Sequence, residues 1–163
     1  HDGNPVVALM AEEGIRASAA ALPPLQRDPR DIEARGDALA GAWLCGVVLG
    51  SVAMGLHHKL CHTLGGTFNL PHAETHTVVL PHALAYNAAA APEAMARIAR
   101  ALGLTESEGV PALAARHGAP TSLRELGMPA EGVARAAELA VTAAYPNPRP
   151  LEREALRVLI QQA

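Results

Sequence analysis

Alanine-rich runs punctuated by proline and glycine constrain this chain more than any other feature. Segments such as "PEAMARIARALG", "AEGVARAAELAVTA" and "LEREALRVLIQQA" place strong helix formers between apolar positions at helical spacing. Half of the residues are hydrophobic but only 2% are aromatic, so alanine and leucine must fill the interior. Small side chains let helices approach closely, and no segment carries a strong strand pattern. The expectation is an all-α, multi-helix bundle, with 163 residues suiting one domain around one core.

The punctuation sets expected helix boundaries. Asn4 is a good N-cap and Pro5 a natural first helical residue, with Pro23-Pro24 ending that helix. A second helix is expected from Asp28 as cap and Pro29 as opener. From Leu39 onward it is apolar nearly all round, which predicts a central position, and Ser51 with the glycines at 46, 50 and 55 allows close helix contacts or a break near 50. Gly65-Gly66 is expected to end a third helix, "TFNLP" to form a loop, and "HAETHTVVLPHALAYN" to form a helix kinked by Pro81. "EGVPALAARHG" reads as a further short helix ending at His117, and "YPNPRP" as a loop.

Charge and cysteine usage exclude some functions. Net charge is -3 and the 13 basic residues, with Lys59 the only lysine, are scattered without a patch. Nucleic-acid binding is not expected, because phosphate neutralisation needs a basic face and single-strand binding usually needs aromatic platforms. The most apolar stretch, residues 39–54, is interrupted by glycines and too short to span a bilayer, so a cytoplasmic protein is expected. Cys45 and Cys61 lie in apolar helical stretches and read as reduced, buried thiols.

Against this plain background, "GLHHKLCHTLGGTFNLPHAETHTVVLPHALAYN" holds six of the eight histidines. His58 and His62 are four apart, which on a helix puts them on one face, and His72 and His76 repeat the spacing after an intervening turn. Two helices joined by that turn bring both pairs towards one cavity. Convergent neutral imidazoles suit a zinc or ferrous ion, and equally suit a proton relay beside an anionic substrate. The offset of about 100° per residue predicts that His58, His62 and His72 share the cavity while His57 faces away in a structural role.

The same stretch resembles the C-terminal signature of the iron-containing alcohol dehydrogenase superfamily: a helix histidine, another four residues on, a glycine-bearing turn, "PH", then "LPH…YN". The variant with "HHKLCHTLGG", "FNLPHAETH" and "NPRP" is similar to the maleylacetate reductase branch. The resemblance covers nearly the whole chain, and implies that residues 1–163 are the C-terminal helical domain of the dehydroquinate synthase-like fold. It implies His58 and His72 as divalent-metal ligands or substrate-binding groups, His62 as the catalytic histidine, and Phe68 and Asn69 beside the pocket.

The implied reaction is NADH- or NADPH-dependent reduction of maleylacetate, a small dianion, to 3-oxoadipate in aromatic-compound degradation, by a homodimer. The coenzyme would be held mainly by a nucleotide-binding domain that has no counterpart in these residues, since "GSVAMG" lies in a helical, strand-free context. In the reductase branch the usual metal aspartate is typically asparagine, which leaves the metal open. Tyr145 and Arg149 in "YPNPRP" are further candidates, because arginine pairs bidentately with carboxylates. Two alternatives stand beside this reading. One is an iron- or zinc-dependent alcohol dehydrogenase of the same superfamily; the other is a catalytically inactive helical chain that acts only in association.

Overall fold

The computed structural model describes residues 3–104, 119–142 and 145–163. Among them are seven α-helices and one 3-10 turn, with no strand. In chain order they are α1 (Pro5–Arg27), α2 (Ile32–Ser51), α3 (Leu56–Phe68), α4 (His72–Asn87), the turn Ala88–Ala90, α5 (Pro92–Leu102), α6 (Gly132–Thr142) and α7 (Arg153–Gln162). The all-α expectation is met. "EGVPALAARHG", with His117, lies outside the described residues, as does His1.

These helices form two compact units, one built from α1, α2 and α5, the other from α3, α4, α6 and α7. In the first, α1 begins where the sequence places it: the Asn4 side chain accepts the Val6 and Val7 N–H groups at 3.0 and 3.1 Å. Its end differs from expectation. Pro23 and Pro24 lie inside the helix, which runs on to Arg27 and closes with the Asp28 N–H donating to the Pro24 carbonyl. Proline removes an amide, yet its fixed φ is helical, so a helix crosses two prolines at the cost of two hydrogen bonds.

The second start is also corrected. Asp31, not Asp28, caps α2, accepting the Ala34 N–H at 3.0 Å. α1 and α2 meet at glycines. A Cβ on Gly14 would lie 2.8 Å from Cys45 Sγ, and one on Gly41 would run into Ser18, 2.8 Å from its backbone nitrogen. Glu12 on α1 holds α5 through Arg100 at 2.6 Å and Arg97 at 3.5 Å. The apolar α2 is not a central helix. Only Ala34 and Gly41 are buried on it, while Leu39 and Trp43 are 72% and 66% exposed. A helix apolar all round can bury only the face that a neighbour covers. No single described helix is long and apolar enough to cross a membrane.

The second unit contains the main hydrophobic core. Leu56, Leu60 and Leu64 recur every four residues and form one buried stripe of α3. That stripe packs with Val78, Val79 and Tyr86 of α4, Leu156 and Ile160 of α7, and three alanines of α6, Ala136, Ala137 and Ala140. Gly65-Gly66 does not end α3. The helix continues to Phe68, whose ring lies so close to Gly132 that a Cβ there would approach it to 2.7 Å. The turn comes instead at Asn69, in the left-handed region at φ 55°, ψ 37°. Asparagine tolerates that conformation better than most residues, and it reverses the chain into α4 within three residues. α4 then runs from His72 to Asn87 with Pro81 inside it.

Candidate functional site

The α3 leucine stripe faces the core, which leaves the next positions round the helix, His58 and His62, on the side towards the start of α4. There His72 and His76 occupy one face of α4, four residues apart. The four rings close a circuit. Ring centroids are 5.5 Å apart for His58–His62, 6.1 Å for His62–His72, 4.3 Å for His72–His76 and 4.6 Å for His76–His58. His58 and His72 can be no further apart than the two separations that join them through His76, so both can touch one small ligand. The expected convergence of His58, His62 and His72 is present, and His76 completes it. The repeat of the four-residue spacing was its signal.

His57 does not face away, as the angular argument predicted. Its ring lies 4.8 Å from that of His76, and its Nε2 bonds the His76 carbonyl oxygen at 2.9 Å. The structural role expected of it holds, but it is exercised against the histidine cluster. Cross-helix packing supplies a partner on a flank that single-helix geometry leaves blank.

Burial favours the neutral form of three of these rings, His57, His58 and His76. Burial, then the neighbouring rings, pushes the His76 pKa down from 6.5 to about 4. His58 is depressed by burial and then by His57, His62 and His72, and His57 is depressed by burial against the opposing effect of its hydrogen bond. Each charged imidazole disfavours the next. Among the described residues none of these rings pairs with a carboxylate. His76 Nε2 is buried without a hydrogen-bond partner, a feature that asks for a ligand. Cys61, buried on α3, has its thiol pushed up to about 12 by burial, so it is no nucleophile at neutral pH. Cys45 and Cys61 are both free thiols, Cys61 buried and Cys45 only partly so.

Of the remaining sequence candidates, Phe68, Asn69 and Arg149 serve the packing and turns of the fold. Phe68 packs on Gly132 and Asn69 makes the turn. The "YN" of α4 meets "YPNPRP": Asn87 and Asn147 exchange amide hydrogen bonds at 3.0 and 2.8 Å, and Asn147 also donates to the Arg149 carbonyl. The Tyr86 hydroxyl donates to the Pro150 carbonyl at 2.6 Å, and the Arg149 guanidinium stacks 4.2 Å above the Tyr86 ring. Tyr145 OH is buried and unpartnered. Sequence spacing could not join the two asparagines, because 60 residues separate them.

The arrangement can bind an anion or an ion. α4 presents its N-terminus at His72, where backbone N–H groups and the helix dipole favour negative charge. As imidazole nitrogen donors, His58 and His72 fit two positions of a zinc or ferrous ion.

The model of the Fe-containing alcohol dehydrogenase family, C-terminal region, matches residues 1–163, and the chain belongs to that family. It is 68% identical to a maleylacetate reductase of Burkholderia cepacia, over 100% of this chain and 47% of that protein. To a maleylacetate reductase of Sphingobium indicum it is 59% identical, over 99% of this chain and 46% of that protein. The crystal structure of maleylacetate reductase from Agrobacterium tumefaciens superposes with a TM-score of 0.93 at 53% identity, over 98% of this chain and 46% of that one. The chain therefore spans about half the length of the curated relatives it matches.

Proposed function

We propose that this chain forms the substrate- and proton-handling half of a maleylacetate reductase, in a homodimeric cytoplasmic enzyme. The observation that carries the reading is the closed circuit of His58, His62, His72 and His76 at the N-terminus of a helix. Maleylacetate carries two carboxylates and an alkene conjugated to a ketone. NADH or NADPH, held chiefly by the nucleotide-binding domain, supplies the hydride.

As hydride adds to the alkene carbon β to the ketone, the electron pair passes to the ketone oxygen. His58 and His72 hold a carboxylate or that developing oxyanion in this reading, where donors fixed in advance act most strongly. His62 delivers a proton to the α-carbon, completing 3-oxoadipate. Phe68 and Asn69 would border the pocket through the turn that they build. If a divalent ion is bound, His58 and His72 would hold it and it would polarise an oxygen of the substrate, the chemistry of an alcohol dehydrogenase.

The test is steady-state kinetics of the intact protein with maleylacetate and NADH. His62→Ala should lower kcat by about 10²–10⁴-fold, the usual range for a lost general acid, with a smaller change in KM. An unchanged kcat would overturn His62 as the donor. Failure of wild-type protein to consume maleylacetate, with turnover of simple alcohols and bound iron or zinc, would replace the reading with the alcohol dehydrogenase one.

A further inference from the structure

On the flank of α3 beside the histidine circuit, three side chains that the reductive chemistry does not need together come close. His57 and Cys61 are one helical turn apart, and His76 faces them from α4. One ligand atom from each lies within 4.8 Å of the others. The geometry points to a binding site for one thiophilic divalent ion, of the zinc class, formed by His57, Cys61 and His76. It differs from the family's histidine positions in its donors, since it adds sulfur and uses neither His58 nor His72.

Three features carry the assignment. The donor set, two imidazoles and one thiol, is one that zinc and its soft neighbours prefer over magnesium or calcium. His57 is oriented as ligating histidines usually are: a carbonyl only accepts, so the bond from Nε2 to the His76 oxygen must carry the ring proton. The other nitrogen then keeps its lone pair, and the backbone fixes the tautomer. His76 Nε2 is buried with no partner, which an ion would supply. Zinc ligands at about 2.0–2.3 Å from the ion sit roughly 3.3–3.8 Å from each other, so side-chain adjustments of about an ångström close the set. The ion's charge displaces the thiol proton into solvent, and three protein ligands leave a fourth position open.

The test is a cobalt titration of the intact, reduced protein. Co²⁺ should produce a near-ultraviolet thiolate-to-cobalt charge-transfer band that saturates at one ion per chain and is lost when Zn²⁺ is added. Cys61→Ser should abolish the band, His57→Asn should weaken Co²⁺ binding at least tenfold, and Cys45→Ser should leave it intact. No band in folded wild-type protein, or a band that survives Cys61→Ser, overturns the site. If Cys61→Ser does not fold, X-ray absorption of the zinc-loaded wild type decides. A shell of one sulfur with two imidazoles supports the site, and a sulfur-free shell refutes it. None of these readouts depends on the reductase activity.

Discussion

Replacing Gly41 by alanine should destabilise the unit of α1, α2 and α5, while the same change one and a half turns away should stabilise it. Both positions are helical, so alanine gains about 1 kcal/mol of helix propensity over glycine at each. What differs is the space. A Cβ at Gly46 meets nothing within 4 Å, whereas at Gly41 it would overlap the Ser18 side chain, stand 2.8 Å from the Ser18 nitrogen and 3.0 Å from the Gly14 carbonyl oxygen. Two of those obstacles are main chain of α1 and cannot rotate aside, so the helices must part. Overpacking of this kind costs about 1–3 kcal/mol, which leaves Gly41→Ala up to about 2 kcal/mol less stable once propensity is credited. Gly46→Ala should be about 0.5–1 kcal/mol more stable. Urea unfolding followed by circular dichroism gives both values from the midpoints at a common slope. Equal stability of the two variants, or a more stable Gly41→Ala, would refute the close approach of α1 and α2.

Three further outcomes follow from the structure. Burial holds the pKa of His57, His58, His76 and His82 below 6.5, with His76 at about 4, so at intermediate pH the unfolded chain binds more protons than the folded one. Stability therefore rises with pH across that window, and the urea midpoint should fall as pH drops from 7.5 to 5; a flat or rising midpoint would contradict the buried neutral cluster. Tyr86→Phe removes the donor to the Pro150 carbonyl and the acceptor for the Glu152 N–H, and should cost about 1–3 kcal/mol by unfolding titration, with no loss if the loop re-forms its bonds elsewhere. Asn4→Ala leaves the Val6 and Val7 amides uncapped and should cost about 1 kcal/mol, measured in the same way, while Asn4→Asp should retain most of the stability.

The sequence by itself determined what depends on neighbours along the chain. Alanine and leucine at helical spacing dictate helices, Asn4 followed by Pro5 dictates where the first begins, and four-residue spacing pairs His58 with His62 and His72 with His76. These are local consequences of backbone geometry and side-chain hydrogen bonding, legible without any fold. Only the tertiary structure decided where competing local signals gave way to packing. Gly65-Gly66 stays helical because Leu64 is held in the core and Phe68 is seated on Gly132, which leaves the left-handed turn to Asn69. α2 is exposed along Leu39 and Trp43 because hydrophobicity states a preference for burial but not which element supplies the cover. His57 and His76, 19 residues apart, touch because two helix faces meet, and their contact depends on the crossing of α3 and α4 rather than on any spacing along the chain. The circuit of four imidazoles is made by both kinds of information: spacing aligns each pair on its helix, and core packing brings the two helices together.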